Sequence, residues 1–245
     1  MSKVIGIFDH SIQYLQMCGR YTETVNPIKL DVMIGLDACT FDFQPRYNIA
    51  PTQIAPVVVR DNGRTTLKGM RWGLIPSWAE NEKIGNKLIN ARSETAAQKP
   101  AFKNAYKTRR CLVPADGFYE WESRDGMKHP WYFSLHDGEQ FCFAGLWERW
   151  KRPATAQGDL FAGFINNDDF VETFTILTTS QNRLLLPVHD RMPVMLHPKA
   201  GEPWLDGGVL NTQPFASKFM NGLRVGLSIN NPDYDRPDCI QADLS

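Results

Sequence analysis

Residues 117–147 read GFYEWESRDGMKHPWYFSLHDGEQFCFAGLW and contain three strand-like runs rich in aromatic residues. An Asp-Gly pair stands between successive runs, at 125–126 and at 137–138. Asp-Gly favours tight hairpin turns, because its backbone twist matches that of the flanking strands. The stretch therefore predicts a three-stranded antiparallel meander with strands at 117–123, 131–135 and 141–147.

Further strand-like and helical runs lie on both sides of this stretch. Residues 54–60 are rich in β-branched residues and end at Asp-Asn-Gly, after which residues 65–74 can return as the second strand of a hairpin. Two more strands are predicted at 174–179 and 194–196. Short helices are predicted at 93–98, 101–108, 202–205 and 213–219.

The order of these elements indicates the fold class. Strands and helices do not alternate as they do in a parallel βαβ fold, so we predict an α+β fold with an antiparallel, barrel-like β core flanked by short helices. A chain of 245 residues can bury the core of one sizeable domain. The polar segment 152–169 is expected to be a loop and not a domain boundary.

Composition excludes several classes of protein. Lys and Arg number 27 and Asp and Glu also number 27, so any nucleic-acid surface must come from local segregation of the basic residues. The five cysteines are scattered without metal-ligand spacing, and we expect no disulfide framework, no metal and no organic cofactor. No apolar run reaches the roughly 18 residues of a membrane span. We expect a reduced, cytoplasmic protein, or a nuclear one in a eukaryote.

The motif MCGRY at residues 17–21 carries the most distinctive chemistry. If translation starts at Met17 and that methionine is removed, Cys18 has a free amine and a thiol on adjacent carbons. The amine condenses with an aldehyde to an imine, and the thiol closes on the imine to give a thiazolidine. Both groups titrate near neutrality, with pKa values of about 8 for the amine and 8.5 for the thiol. Ring closure is intramolecular, which favours a long-lived product.

Five further motifs follow MCGRY in order. They are RYNIAP at 46–51, WGLIPSW at 72–78, INARSET at 89–95, DGFYEW at 116–121 and VHDRMP at 188–193. Together they resemble the SRAP family, the SOS-response-associated peptidases that are understood as proteins that crosslink to abasic sites in DNA. The resemblance runs from Met17 to about Arg191. It implies one SRAP domain and a single-stranded DNA partner that contains abasic sites.

The resemblance implies four catalytic residues. Cys18 is expected to form the crosslink, and Asn90 to hold the terminal amine or the opened sugar. Glu120 and His189 are expected to move protons, since opening the cyclic sugar and expelling water both need an acid and a base. We assign the transfers between amine and water to Glu120 and the opening of the sugar to His189.

The DNA-binding residues are predicted on two grounds: closeness in sequence to these groups for three arginines, and the ability to stack or wedge for two tryptophans and a proline. Arg20, Arg92 and Arg191 are expected to contact phosphates that flank the lesion. Stacking on neighbouring bases, or wedging between them, is expected from Trp72, Trp78 and Pro51.

The N-terminus departs from the family pattern, in which the cysteine directly follows the initiator methionine. Here residues 1–16 precede Met17, and an amide-bound Cys18 lacks the free amine. Three explanations remain: translation starts at Met17, the extension is cleaved off by the protein itself, or the chain is inactive as written. We favour the first and divide the chain into an extension at 1–16 and an SRAP domain at 17–245.

Two other functions compete with covalent capture. A thiol peptidase would use Cys18 as nucleophile and His189 as base, without needing a free amine. A reversible single-strand DNA damage-binding module would need neither Cys18 nor Glu120. Cleavage of the abasic strand through the imine is an expected side activity, and we expect a monomer.

Overall fold

The computed structural model describes residues 19–26, 34–153 and 169–243. Within these ranges the strands are β1 Arg20–Glu23, β2 Ala38–Cys39, β3 Arg46–Ile49, β4 Ile54–Asp61, β5 Arg64–Trp72, β6 Asn90–Arg92, β7 Arg110–Ala115, β8 Gly117–Arg124, β9 Met127–Leu135, β10 Phe141–Lys151, β11 Phe170–Ser180, β12 Arg191–Pro193, β13 Met195–Leu196 and β14 Met220–Arg224. The α-helices are α1 Ser93–Ala96, α2 Lys103–Thr108 and α3 Pro198–Leu205. None of the helices in these ranges is long and apolar enough to cross a membrane.

The strands form two sheets. The first has the order β14-β9-β8-β1-β3, and all its pairs are antiparallel. In the second sheet, β11, β10, β7, β4 and β5 are neighbours in that order, and a short parallel pairing of β5 with β11 closes them into a barrel. The predicted α+β class with a barrel-like, mostly antiparallel core is confirmed.

Two hydrophobic layers follow from the alternation of side chains along the barrel strands. Inward-facing residues such as Val57, Phe143 and Ile176 pack against Phe118 and Phe133 of the first sheet, which covers the open side of the barrel. Outward-facing residues of the same strands pack against the three helices. The first sheet and the barrel therefore share one core.

The hairpin turns predicted at 61–63 and 125–126 are confirmed, but the hairpin at 137–138, and with it the meander, is wrong. The Asp125-Gly126 turn joins β8 to β9, and residues 54–61 pair with 64–72 as expected. The third run, β10, pairs with β7, β11 and β13 in the second sheet and not with β9. The chain changes sheets at a short 3-10 turn, His136–Gly138, because both faces of β10 are apolar and need cover on both sides.

The helix predictions are confirmed in part. Helices lie within 93–98 and 101–108, and the third, Pro198–Leu205, is longer than predicted. The helix predicted at 213–219 is wrong: only a 3-10 turn, Ser217–Phe219, forms there. Pro214 disfavours helical backbone in the residue before it, so a helix that begins at Gln213 is disfavoured. Most of the predicted loop at 152–169 lies outside the described residues.

A buried acidic pair fixes the end of β1. Asp116 accepts hydrogen bonds from the hydroxyls of Thr22 and Thr24 and from two backbone N–H groups. Glu23 is fully buried, and its Oε1 accepts a hydrogen bond from Gln140. Burial, with the charge of Asp116, raises the pKa of Glu23 well above its usual range. Glu23 is therefore protonated in the folded protein under conditions in which it ionises after unfolding.

We expect this difference to make folding depend on pH. A carboxyl group whose pKa is higher in the folded than in the unfolded state contributes fully to the stability of the folded state at pH values below its pKa in the unfolded chain. This contribution is lost as the pH rises toward the pKa of the group in the folded protein. The free energy of unfolding should fall by up to about 1.4 kcal/mol per pH unit in that window. The Glu23→Gln variant should lack the part of this pH-dependent decrease in unfolding free energy that Glu23 causes. Urea unfolding between about pH 5 and pH 8 measures it.

The matched control is Glu139→Gln, which removes an exposed carboxylate. Its unfolding free energy should follow the wild-type pH profile. Parallel profiles for Glu23→Gln and the wild type would show that Glu23 ionises equally in both states.

Candidate functional site

Arg20, at the start of β1, is anchored inside the protein. Its Nη1 donates to Asn48 Oδ1 at 2.8 Å and to the carbonyl of Ile229 at 2.7 Å. Asn48 is fully buried, and its amide in turn donates to carbonyls of the segment 229–234. Burial lowers the pKa of Arg20, although an arginine remains charged. Arg20 thus fixes the chain two residues after Cys18, which lies outside the described residues.

Glu120 lies on β8 and faces the shared core. It is 1% exposed, and alternation along the strand places it on the same side as Phe118. The neighbouring residue, Tyr119, is paired with Arg20 in an antiparallel register. Because the two strands are antiparallel, the residue after Tyr119 lies opposite the residue before Arg20. Glu120 therefore lies beside the chain that leads into β1.

Asn90 and Arg92 lie on β6, which runs parallel to β11. Asn90 is paired with Ile176 and Arg92 with Thr178. Because Ile176 faces the shared core, Asn90 and Arg92 lie on that face of the sheet, whereas the intervening alanine packs toward the helices. Arg92 is exposed at the edge of the core and Asn90 is half-buried.

Trp72 is a core residue, so the prediction that it stacks on DNA bases is wrong. Its side chain is fully buried, and its Nε1 donates to the carbonyl of Ile89 at 2.9 Å. The indole meets the Tyr21 ring edge-on at 5.2 Å and stacks on Phe174 at 6.2 Å. Trp72 therefore connects β1, through Tyr21, with the residue that precedes Asn90.

His189 is buried beside a donor and an acceptor. Its Nδ1 lies 3.0 Å from the backbone N–H of Arg191 and 3.1 Å from Asp190 Oδ1. Its Nε2 is buried without a hydrogen-bond partner in the described part of the chain. Burial lowers the pKa of His189, and the Asp190 carboxylate opposes this shift. The ring is thus mostly neutral at pH 7, with one nitrogen available to a substrate.

Arg191 is engaged by its own protein. Nη1 and Nη2 form a bidentate pair with Glu94 at 2.6 and 2.8 Å, and Nη2 also donates to the carbonyl of Thr178 at 2.7 Å. The prediction of a phosphate contact is not supported, because a phosphate would have to displace the Glu94 carboxylate. Arg191 instead holds the chain after His189 against β11.

The remaining two predicted DNA contacts lie in different places. Pro51 is half-buried, and the next residue, Thr52, donates its N–H to the Trp72 carbonyl at 2.9 Å. Trp78 is 56% exposed. The carbonyl of the adjacent Ala79 accepts a hydrogen bond from Trp150, and Trp150 is paired with Val171 on β11. Val171 and Thr178 are separated by roughly 23 Å of strand. The structure brings Pro51 close to the other residues and leaves Trp78 remote from them.

Contacts through the core bring most of the predicted site together. The Arg20 and Glu120 end of the first sheet is joined to Asn90 through Tyr21 and Trp72. Arg92 and the His189 segment meet on β11, because Thr178 pairs with Arg92 and accepts a hydrogen bond from Arg191. The site is a polar rim where the first sheet meets the barrel.

Sequence reasoning missed three residues that build this rim: Asn48, Glu94 and Thr178. Asn48 could have been found, because a lone asparagine within the apolar strand YNIA suggests a buried polar group that binds backbone. Glu94 and Thr178 give no such signal. Across the described ranges, no group of three or more His, Cys, Asp or Glu residues could hold a metal ion.

Comparison with known proteins gives three consistent findings. A family model described as SOS response associated peptidase (SRAP) matches residues 17–231. The abasic site processing protein YoqW of Bacillus subtilis (strain 168) is 35% identical over 240 residues, covering 92% of this chain and 100% of the relative. The abasic site processing protein HMCES of Xenopus tropicalis is 29% identical, covering 82% and 67%. A solved structure from Bacteroides thetaiotaomicron has a TM-score of 0.76 at 24% identity, covering 93% of this chain and 100% of that one.

The assignment of Trp72 to the core can be tested by Trp72→Phe. This change removes the indole N–H, leaves the Ile89 carbonyl with the Ile176 N–H as its remaining donor, and opens a cavity. We expect the free energy of unfolding to fall by about 2 to 4 kcal/mol in urea titrations. The control is Trp78→Phe at an exposed position, which should change stability by less than about 0.5 kcal/mol. Equal stability of Trp72→Phe and the wild type would contradict the core assignment.

Proposed function

Because this chain belongs to the SRAP family, we propose that it processes abasic sites in single-stranded DNA by capturing them covalently at Cys18. The observation that carries the proposal is the position of Glu120. This buried carboxylate lies beside the chain that leads into β1, and Cys18 is only two residues before Arg20. Two residues span at most about 7 Å, so the amine and thiol of Cys18 start within reach of the polar rim.

The proposed reaction requires the ring-opened sugar, whose C1′ is an aldehyde. The amine of Cys18 adds to C1′, and loss of one water gives the imine. The thiol then adds to the imine carbon and its proton passes to the nitrogen, which closes the thiazolidine. One water is released overall, and no oxidant or metal is consumed. Glu120 accepts the proton of the attacking amine and returns it to the hydroxyl that leaves as water.

His189 is assigned to the opening of the sugar ring. Base catalysis needs a neutral ring with a lone pair on Nε2, and burial favours the neutral state. In the resting site Nδ1 accepts a hydrogen bond from the Arg191 N–H at 3.0 Å, which puts the proton of the neutral ring on Nε2. For base catalysis that proton moves to Nδ1, where Asp190 Oδ1 at 3.1 Å accepts it in a hydrogen bond. Nε2 then takes the anomeric hydroxyl proton and returns it to the ring oxygen as the bond from C1′ to that oxygen breaks. Asn90 supplies an amide on the core-facing side of β6, where it would hold the amine or the opened sugar.

The DNA contacts in the proposal come from residues at the edge of the rim. Arg92 is exposed there and is the main phosphate contact. Arg20 contributes through the donors that Asn48 and Ile229 do not use, and Pro51 packs against a neighbouring base. A single strand suits this site, because no partner strand has to be unpaired. The protein would act as a monomer on DNA in the cytoplasm, or in the nucleus of a eukaryote.

The proposal includes exposure of the Cys18 amine, either by a start at Met17 or by self-cleavage before Cys18. Residues 17–245 are then the working domain. The imine also acidifies the neighbouring sugar carbon, so slow strand cleavage is the expected side reaction when ring closure is prevented.

The direct test mixes the protein with single-stranded DNA that carries one abasic site. The protein is produced once from Met1 and once from Met17, and adducts are identified on a denaturing gel with intact mass. The Met17 form should give a heat-stable adduct whose mass is the sum of both partners less one water. Cys18→Ala should abolish it, and Cys18→Ser should give only a labile imine with some strand cleavage.

The same experiment separates the competing functions. Acetylation of the terminal amine should abolish crosslinking, whereas a thiol peptidase would keep its activity. If neither form of the protein gives an adduct while single-strand binding is intact, the covalent mechanism is wrong and reversible damage binding is the better account.

A second prediction concerns pH. Titration of the Cys18 amine and thiol affects the wild type and His189→Gln alike, so the ratio of their crosslinking rates reports His189 alone. Because the pKa of His189 is lowered, the ratio should stay constant as pH falls through about 6.5 and decrease only below that value. Single-turnover rates from about pH 5 to pH 8 measure it. A ratio that rises as the solution becomes acidic would instead indicate that the protonated ring is the active form.

A further inference from the structure

A groove lies next to the rim, at the end of the first sheet. It encloses about 550 Å³ between the start of β9 and the chain that follows β14. These two segments are held together by a backbone hydrogen bond from Val225 to Pro130 at 3.1 Å. Its lining includes Met127, Lys128, His129, Arg224, Leu227 and Asn230.

The charged groups of the lining favour an anion. Lys128 and Arg224 are exposed, and Arg224 Nη2 lies 2.9 Å from His129 Nδ1. The Arg224 guanidinium donates to this nitrogen, so a neutral His129 carries its proton on Nε2 and adds another donor. Asp243 is the one carboxylate in the lining and is half-buried. Two cations against one carboxylate give the groove a local positive charge in a chain whose formal net charge is +0.

Two apolar side chains accompany the cations. Met127 is 60% exposed and Leu227 is 59% exposed. An inorganic anion makes no favourable contact with apolar side chains. A nucleotide, in contrast, presents an anionic phosphate together with an apolar sugar edge and base face. The combination of cations and exposed apolar groups therefore fits a strand of nucleic acid.

The groove is continuous with the proposed reaction site on two sides. Asn230 lines the groove, its side chain accepts a hydrogen bond from Trp121 Nε1 at 2.7 Å, and its carbonyl lies 3.4 Å from Arg20 Nη2. On the other side, the charge of Lys128 reaches His189 and contributes to the lowering of its pKa. A strand that leaves the reaction site can enter the groove without crossing the barrel.

We propose that this groove binds the sugar-phosphate backbone of the single-stranded DNA flank that leaves the abasic site, with phosphates on Lys128 and Arg224 and sugars or bases against Met127 and Leu227. The inference rests on the proposed function for its substrate. It assigns part of the DNA affinity to residues that take no part in the chemistry.

The test compares the double variant Lys128→Ala/Arg224→Ala with the wild type. Crosslinking rates are measured below saturation on three single strands: one with long flanks on both sides of the abasic site, and two shortened at one side or the other. Loss of two phosphate contacts should slow crosslinking of the long strand about tenfold near physiological salt. The logarithmic salt slope should become shallower by about 1.4. On the strand that lacks the flank bound in the groove, the double variant and the wild type should react equally at about pH 8, where His189 is neutral with or without the charge of Lys128.

The matched control is Lys107→Ala/Lys199→Ala, which removes the same charge from exposed positions on α2 and α3. It should behave as the wild type does on all three strands. Equal reactivity on the shortened strand shows that the double variant is folded and that its reaction site is intact.

Two results would overturn the inference. In the first, the double variant matches the control in rate and salt slope on the long strand. In the second, an acidic peptide of the same charge binds the groove while single-stranded DNA does not. If the wild type forms no adduct with any strand, the proposed function fails. Fluorescence anisotropy with an undamaged labelled strand then tests the groove separately, and the double variant should still bind about tenfold more weakly.

Discussion

The geometry of the site depends on the buried indole of Trp72. Its ring lies between Tyr21 of the first sheet and Phe174 of the barrel, and its N–H binds the carbonyl of Ile89. Aromatic pairs contribute about 0.5 to 1.5 kcal/mol each, and the hydrogen bond from the indole to the Ile89 carbonyl contributes about as much. Glu120 and Asn90 belong to different sheets, so their relative position depends on this contact. Displacement of a reactive group by about 1 Å can cost a hundredfold in rate, which makes a rigid core residue part of the chemistry.

Buried polar side chains complete the connection between the elements. Asn48 holds Arg20 and the segment 229–234, and Asp235 accepts hydrogen bonds from the backbone of Tyr47 and from the side chain of Arg46. Burying any of these polar groups without a hydrogen-bond partner would cost free energy. Arrangements of the chain in which one of them is unpaired are therefore disfavoured. Apolar packing permits several arrangements of a strand on a barrel, whereas these directional bonds select one.

The sequence predicted local structure well and long-range placement less well. Alternation and Asp-Gly turns identified the hairpin strands, because both signals are contained within neighbouring residues. The sheet that β10 joins depends on β7 and β11, which are distant in sequence, so the predicted meander was wrong there. The candidate site residues were chosen from the motifs in which they stand, and their roles stay predictions. Closeness in sequence to the reactive groups did not show that Arg191 is already bound by Glu94. The aromatic character of Trp72 did not show that its side chain faces the core.

The absence of net charge on the whole chain fits the proposed covalent capture. Long-range steering by a strongly basic protein raises association rates and also strengthens binding to all undamaged DNA. Here the local positive charge belongs to a few exposed residues around the rim and the groove, while Arg191 is neutralised by Glu94. Weak reversible contacts of this kind let undamaged strands dissociate. In the proposed reaction with an aldehyde, retention would no longer depend on equilibrium affinity, because the product would be held by covalent bonds. What the protein must then supply is orientation during each brief encounter, and its rigid core and buried hydrogen bonds provide it.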